Sequence, residues 1–146
     1  DTCFLFRLNH TGMTPKIKQL LEDTTVRKIG LSWHDDLRAL EALHPFKPGL
    51  FIDLQDMVND LGVEDLSLQK LYANFFHKKI SKRQRLSNWE ASVLSDKQKQ
   101  YAAIDAWSCI HLYEEIMRLK TTHDYDLIAV PDPVKSDEMV KNQTTE

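Results

Sequence analysis

Two short stretches hold the side chains that could do chemistry. Asp35 and Asp36 stand side by side in SWHDDLRAL (Ser32–Leu40), where an apolar run turns polar, and Tyr101 and Asp105 stand four apart in YAAIDAW (Tyr101–Trp107). If a helix begins near His34, its core stripe is Leu37, Leu40 and Leu43. At about 100° per residue, Asp36 then lies about 40° from the centre of that stripe and Asp35 about 140° from it. This phase directs Asp36 inward beside a sheet and leaves Asp35 to cap the helix or face water. An inward carboxylate is costly unless it is paired, protonated or bound to a metal. The alternative is Asp36 as an N-cap held by backbone N–H groups.

Residues four apart share one helix face, so Tyr101 and Asp105 point the same way. Small neighbours (Ala102, Ala103 and Ala106) let another backbone or a substrate come close. Aspartate is a middling helix former and gains nothing from burial. Asp105 on this apolar helix therefore either does chemistry or closes a structural hydrogen bond with Tyr101.

Positive charge is concentrated between these stretches. Lys70, Lys78, Lys79, Lys82, Arg83, Arg85, Lys97 and Lys99 are opposed only by Glu90 and Asp96, although the whole chain carries −3. Such a surplus either meets phosphates or forms a solvated surface. Two tryptophans border the chemistry. Trp89 follows the basic run and either stacks a base or packs the loop; Trp33 ends a strand near Asp36 and either lines a nucleotide pocket or belongs to the core.

The elements that must position these residues can be read from pattern. CFLFRL (Cys3–Leu8), TVRKIGLS (Thr25–Ser32) and GLFIDL (Gly49–Leu54) read as strands. Thr14 and Pro15 look like the cap and first residue of a helix carrying Ile17, Leu20 and Leu21. DLRALEALH is helical. A helical pattern follows Asp53 through Leu54, Met57, Val58 and Leu61 and is stopped by Gly62; Ser67 caps another through Leu68, Leu71 and Phe75. The longest helix starts at Ser95, where Gln98 completes a capping box, and runs to about Leu119 without proline or glycine. Strands and helices alternate first and helices dominate later, which predicts an α/β domain with a mixed sheet.

The 146 residues suffice for one domain, and 42% apolar with 28% charged residues is an ordinary globular balance. No run approaches the roughly 20 apolar residues of a membrane span. Cys3 and Cys109 lack CxxC spacing, which argues against a disulfide scaffold or zinc site and predicts two reduced, buried thiols in a cytoplasmic protein, or a nuclear one in a eukaryote. The six histidines show no HExxH spacing. Residues 120–146, acidic and polar with two prolines, read as a mobile tail with one docking segment.

KIGLSWHDDLRAL resembles the second motif of the RNase D-like 3′–5′ exonucleases, a strand leading to an aspartate near a helix start. SNWEASVLSDKQKQYAAIDA resembles their third motif, a tyrosine followed four residues later by an aspartate. DLQDMVNDLGVEDLSLQKLYANFFHKKI is similar to the connecting helices. The likeness covers nearly all of Cys3–Leu119 and is greatest to the Werner syndrome-type exonuclease domain. It implies an RNase H-like fold, with Asp36 and Asp105 as ligands of two Mg²⁺ or Mn²⁺ ions and Tyr101 holding the attacking water. A sister subgroup has a histidine five residues before the third-motif aspartate; Gln100 stands there, so the tyrosine subgroup is implied.

On this resemblance Lys82, Arg83 and Arg85 contact phosphates of DNA or RNA 3′ ends, with Trp33 and Trp89 beside the terminal nucleotides. The expected product is a nucleoside monophosphate, and no membrane is involved. A fused or associated helicase or polymerase stays open. The family's first motif, a strand with Asp-x-Glu that supplies two more carboxylates, does not precede CFLFRL in the sequence. Residues 1–119 are accordingly expected to form the C-terminal part of an exonuclease domain, with its first two strands lying upstream. The alternative is a non-catalytic nucleic-acid-binding or scaffold module of the same fold, without a complete metal site.

Overall fold

A computed structural model of the chain describes residues 2–64 and 66–125. A short helix α1 (Leu8–Thr11) precedes α2 (Pro15–Glu22), where Thr14 Oγ1 accepts from the Ile17 N–H at 3.4 Å and Pro15 opens the first turn. A strand–helix–strand unit follows: β1 (Lys28–Gly30), α3 (Trp33–Leu43) and β2 (Phe51–Asp53). The two strands pair in parallel, Lys28 with Phe51, Ile29 with Ile52 and Gly30 with Asp53. Parallel neighbours need a crossover, and α3 is that crossover.

Next come α4 (Leu54–Val58), a 3₁₀ turn (Asn59–Leu61) ended by left-handed Gly62, α5 (Leu68–Phe76) and α6 (Asp96–Thr122). The capping box of α6 is complete in both directions. Ser95 Oγ accepts from the Gln98 N–H at 3.3 Å, and Gln98 Oε1 accepts from the Ser95 N–H at 2.9 Å. The helix extends past Leu119 to Thr122, and Lys120 pairs with Asp60 of the 3₁₀ turn at 2.7 Å.

The core lies where α4, α5 and α6 meet under β1. Leu54 and Val58 of α4, Leu68, Leu71 and Tyr72 of α5, and Cys109, Leu112 and Ile116 of α6 are buried together, with Ile29 and Leu31 packed on them. The helical spacing of these positions in the sequence is what points them inward.

Two expectations are corrected. CFLFRL is not a strand: residues 2–7 are irregular, and Phe4 is 76% exposed. A strand exists only where a neighbour takes its backbone N–H and C=O groups, and among the described residues none pairs with this segment. Cys3 is exposed along with it, so only Cys109 is a buried thiol. The other two strands are shorter than their apolar runs but stand in the expected places. No helix among the described residues is long and apolar enough to cross a membrane. Of the tail expected at residues 120–146, the first three residues continue α6 instead, and everything from Asp126 onward lies outside the described residues.

Candidate active site

The turn from β1 into α3 is built around one indole. Ser32 is left-handed at φ 61°, which swings the chain back over the strand end. The Trp33 indole N–H donates to the Ile52 carbonyl at 3.0 Å, and its ring meets Phe51 edge-on with centroids 5.0 Å apart. Gly30 lies directly beneath: a Cβ there would fall 2.5 Å from two atoms of the Trp33 ring. Trp33 thus latches the first turn of α3 to the sheet.

Asp53, at the end of β2, closes the same turn. Its carboxylate accepts from the backbone N–H groups of Ser32 at 3.0 Å and Trp33 at 2.9 Å. Neither Asp35 nor Asp36 caps α3; both sit in its first turn, where the helix dipole favours an anion. The expectation of an enclosed Asp36 is also corrected. The residue is exposed, because α3 buries none of its side chains against a second layer among the described residues.

Asp36 and Asp105 nevertheless meet electrostatically. Asp105 is exposed as well, but the surrounding protein still desolvates its carboxyl in part and raises its pKa, and the charge of Asp36 raises it further. The Asp36 carboxyl is raised too, by desolvation and then by its neighbour Asp35. One turn beyond Asp105, the buried Cys109 thiol is pushed up to about 12 by burial, then by Asp105, then by Asp53. The charge of Asp36 on α3 is thus felt at Asp105 on α6, and those of Asp105 and Asp53 at Cys109.

Tyr101, half-buried and one turn before Asp105, packs against Trp89, with ring centroids 6.0 Å apart and planes inclined at 49°. Among the described residues no hydrogen bond joins Tyr101 to Asp105, so the structural pairing of the two is not formed. Trp89 donates its indole N–H to the Arg85 carbonyl at 3.3 Å, which ties the basic loop to the tyrosine. Lys82, Arg83 and Arg85 are exposed along that loop.

Two residues hold this segment, one of them with a role beyond the cap that its pattern announced. Arg7 donates to the carbonyls of Ala91 at 2.6 Å, Ser92 at 2.9 Å and Trp89 at 3.2 Å. Buried Gln98 Nε2 donates to Ser87 Oγ at 3.0 Å and the Asn88 carbonyl at 2.9 Å. Gln98 carried a signal as the capping-box residue. Arg7 carried none, because its partners are backbone carbonyls 82 to 85 positions away.

Hard carboxylate oxygens suit Mg²⁺ or Mn²⁺, and two like charges held near each other with raised pKa values gain from a cation between them. Asp36 and Asp105 are therefore suited to share one. Among the described residues no group of three or more His, Cys, Asp and Glu side chains converges as a metal site.

The parallel βαβ unit, the cap-defined long helix and the carboxylates at the strand ends define an α/β nuclease domain of RNase H-like architecture. Residues 2–120 match the family model described as 3′–5′ exonuclease, and the chain belongs to that family, in its RNase D-like branch. It is similar to exonuclease 3′–5′ domain-containing protein 2 of Drosophila melanogaster, 35% identical over 121 residues that cover 80% of this chain and 20% of that protein. A 3′–5′ exonuclease of Arabidopsis thaliana is 33% identical over 125 residues, covering 80% of this chain and 42% of the relative. The chain thus spans less than half the length of either relative. Among solved structures, Brucella melitensis NrnC superimposes with a TM-score of 0.66 at 25% identity, covering 77% of this chain and 57% of NrnC.

Proposed function

We propose that this domain is a metal-dependent 3′–5′ exonuclease that hydrolyses the terminal phosphodiester bond of DNA or RNA and releases nucleoside monophosphates. The observation that carries this reading is the placement of Asp36 in the first turn of α3, just past the end of β1, with Asp105 on α6, the helix packed against that strand. Family membership supports it, as does the structure of Brucella melitensis NrnC bound to pGG, which is 26% identical to this chain.

Asp36 and Asp105 would hold the cations. When bound, two divalent ions neutralise charge on the attacking and leaving oxygens. The chain's own residues supply position. Tyr101, held by Trp89 beside Asp105, directs its phenolic oxygen to orient the attacking water. The water oxygen bonds to phosphorus, the P–O3′ bond breaks, and the released 3′ oxygen takes up a proton. Lys82, Arg83 and Arg85 contact backbone phosphates without reading sequence. Trp89 already has a protein partner in Tyr101, and Trp33 in Ile52, so any stacking on a base uses the faces that remain.

The test is degradation of an end-labelled 3′-recessed duplex and of a single-stranded RNA, with Mg²⁺ or Mn²⁺, by the natural protein that contains these residues. Asp36→Ala and Asp105→Ala are each expected to lose several orders of magnitude in rate. Tyr101→Phe is expected to lose less, since only the water's orientation suffers. Unchanged cleavage in either aspartate variant removes that residue from the mechanism. Binding of both substrates without cleavage would instead favour a nucleic-acid-binding module.

A further inference from the structure

One carboxylate caps two helices. Asp53 Oδ1 accepts from the Gln55 N–H at 3.0 Å, which caps α4 from its own N-terminus. The same oxygen accepts from the Ser32 N–H at 3.0 Å, and Oδ2 accepts from the Trp33 N–H at 2.9 Å. Those are the leading amides of α3, and Ser32, at the cap position, offers no side-chain hydrogen bond of its own. The cap of α3 therefore comes from across the sheet, from the residue paired in register with Gly30.

Both Asp53 oxygens face backbone donors, which distinguishes this aspartate from Asp36 and Asp105. Two of these N–H bonds, from Ser32 and Trp33, hold the start of α3, and the Trp33 indole bond to the Ile52 carbonyl ties the same turn to the sheet. Asp36 lies three residues beyond Trp33 on that turn. On the far side, the charge of Asp53 reaches Cys109, one turn from Asp105. Asp53 is thus bonded directly to the turn that carries Asp36.

We propose that Asp53 is the positioning residue of the site, holding the first turn of α3 so that Asp36 is presented to Asp105. What the presented pair does rests on the exonuclease reading above; the anchoring is measurable without it. Partners that orient metal ligands commonly change metal affinity about 10–100-fold when removed.

The experiment is Mn²⁺ titration of the ¹⁵N-labelled protein, read as paramagnetic broadening of backbone amides, together with amide hydrogen exchange. In the unsubstituted protein Mn²⁺ should broaden residues 35–37 and 104–106 over one concentration range. In Asp53→Asn, where an NH₂ replaces one acceptor, broadening at 104–106 should persist. Broadening at 35–37 should need at least about tenfold more Mn²⁺. Exchange of the Ser32 and Trp33 amides should rise about tenfold or more, with α5 amides unchanged as proof of fold. Asp53→Glu keeps the charge but displaces it by one methylene, and should show the same split if Asp53→Asn does not fold. Unchanged exchange at Ser32 and Trp33, or unchanged Mn²⁺ dependence at 35–37, in a folded variant overturns the positioning role. Absence of broadening in the unsubstituted protein overturns the metal reading instead, and exchange at the two amides then decides the anchoring alone.

Discussion

The indole of Trp89 rests on the ring of Tyr101, and the backbone behind that indole is gripped by Arg7 from the other end of the chain. The proposed water-orienting group is therefore held by a loop that would otherwise have few constraints. A guanidinium suits this task because its planar fork can serve several carbonyls at once.

Arg7→Ala is expected to loosen the 89–92 segment and destabilise the domain by about 1–3 kcal/mol, the range for a lost charge-assisted hydrogen-bond set. Arg7→Lys should recover only part of this, since an ammonium lacks the fork. Urea unfolding measures the first effect, and Trp89 fluorescence near Tyr101 reports the second. Equal stability of Arg7→Ala and the unsubstituted protein would show that the clamp contributes nothing.

Gly30 is required by contact, not by backbone freedom. A Cβ there meets the Trp33 ring at 2.5 Å, so Gly30→Ala should cost about 1–3 kcal/mol by overpacking. Combining it with Trp33→Leu should recover part of the loss, because the two effects act on one contact. Strict additivity in the double-mutant cycle would contradict this.

Ser108 Oγ is fully buried without a hydrogen-bond partner among the described residues. Removing an unsatisfied hydroxyl is neutral or favourable, so Ser108→Ala should leave stability unchanged or raise it by up to about 1 kcal/mol. Ser108→Leu should lower it by about 1–3 kcal/mol, since the position allows no added volume. Thermal unfolding of the two variants separates these cases.

The two thiols should differ in reactivity. Exposed Cys3 is expected to react with a thiol reagent at pH 8 while folded Cys109 does not. Cys109 also gives stability a pH dependence with a definite sign. Its folded pKa, pushed up to about 12, exceeds the ordinary cysteine value near about 8.5. Below that ordinary value both states are protonated and the contribution is complete. As pH rises toward about 12, only the unfolded thiol ionises, and stability falls by at most about 1.4 kcal/mol per pH unit. Cys109→Ala should remove that alkaline slope in denaturant titrations.

Much of the framework was legible in the sequence because its signals are local. The Thr14–Pro15 start of α2, the Ser95/Gln98 box and the Gly62 stop each depend on residues within one turn. Helical phase sent Asp36 inward, whereas the structure leaves it exposed because α3 has no second layer to pack against among the described residues. CFLFRL misled because an apolar run reports a preference for burial and not a strand partner, and among the described residues no strand pairs with it. Asp53 was read only as the start of a helical pattern. Its second task depends on Ser32 and Trp33, 21 and 20 positions away, and no periodicity records a bond of that span.

That span has a kinetic consequence. α3 has 11 residues, too few to be stable alone, and it gains its cap only after β2 has docked beside β1. The order of folding is thereby constrained: strand docking comes first and α3 is consolidated on it. A loop of some twenty residues must close before that reward arrives, so substitutions in α3 should speed unfolding more than they slow folding. The helix carrying Asp36 would be the last to settle and the first to fray.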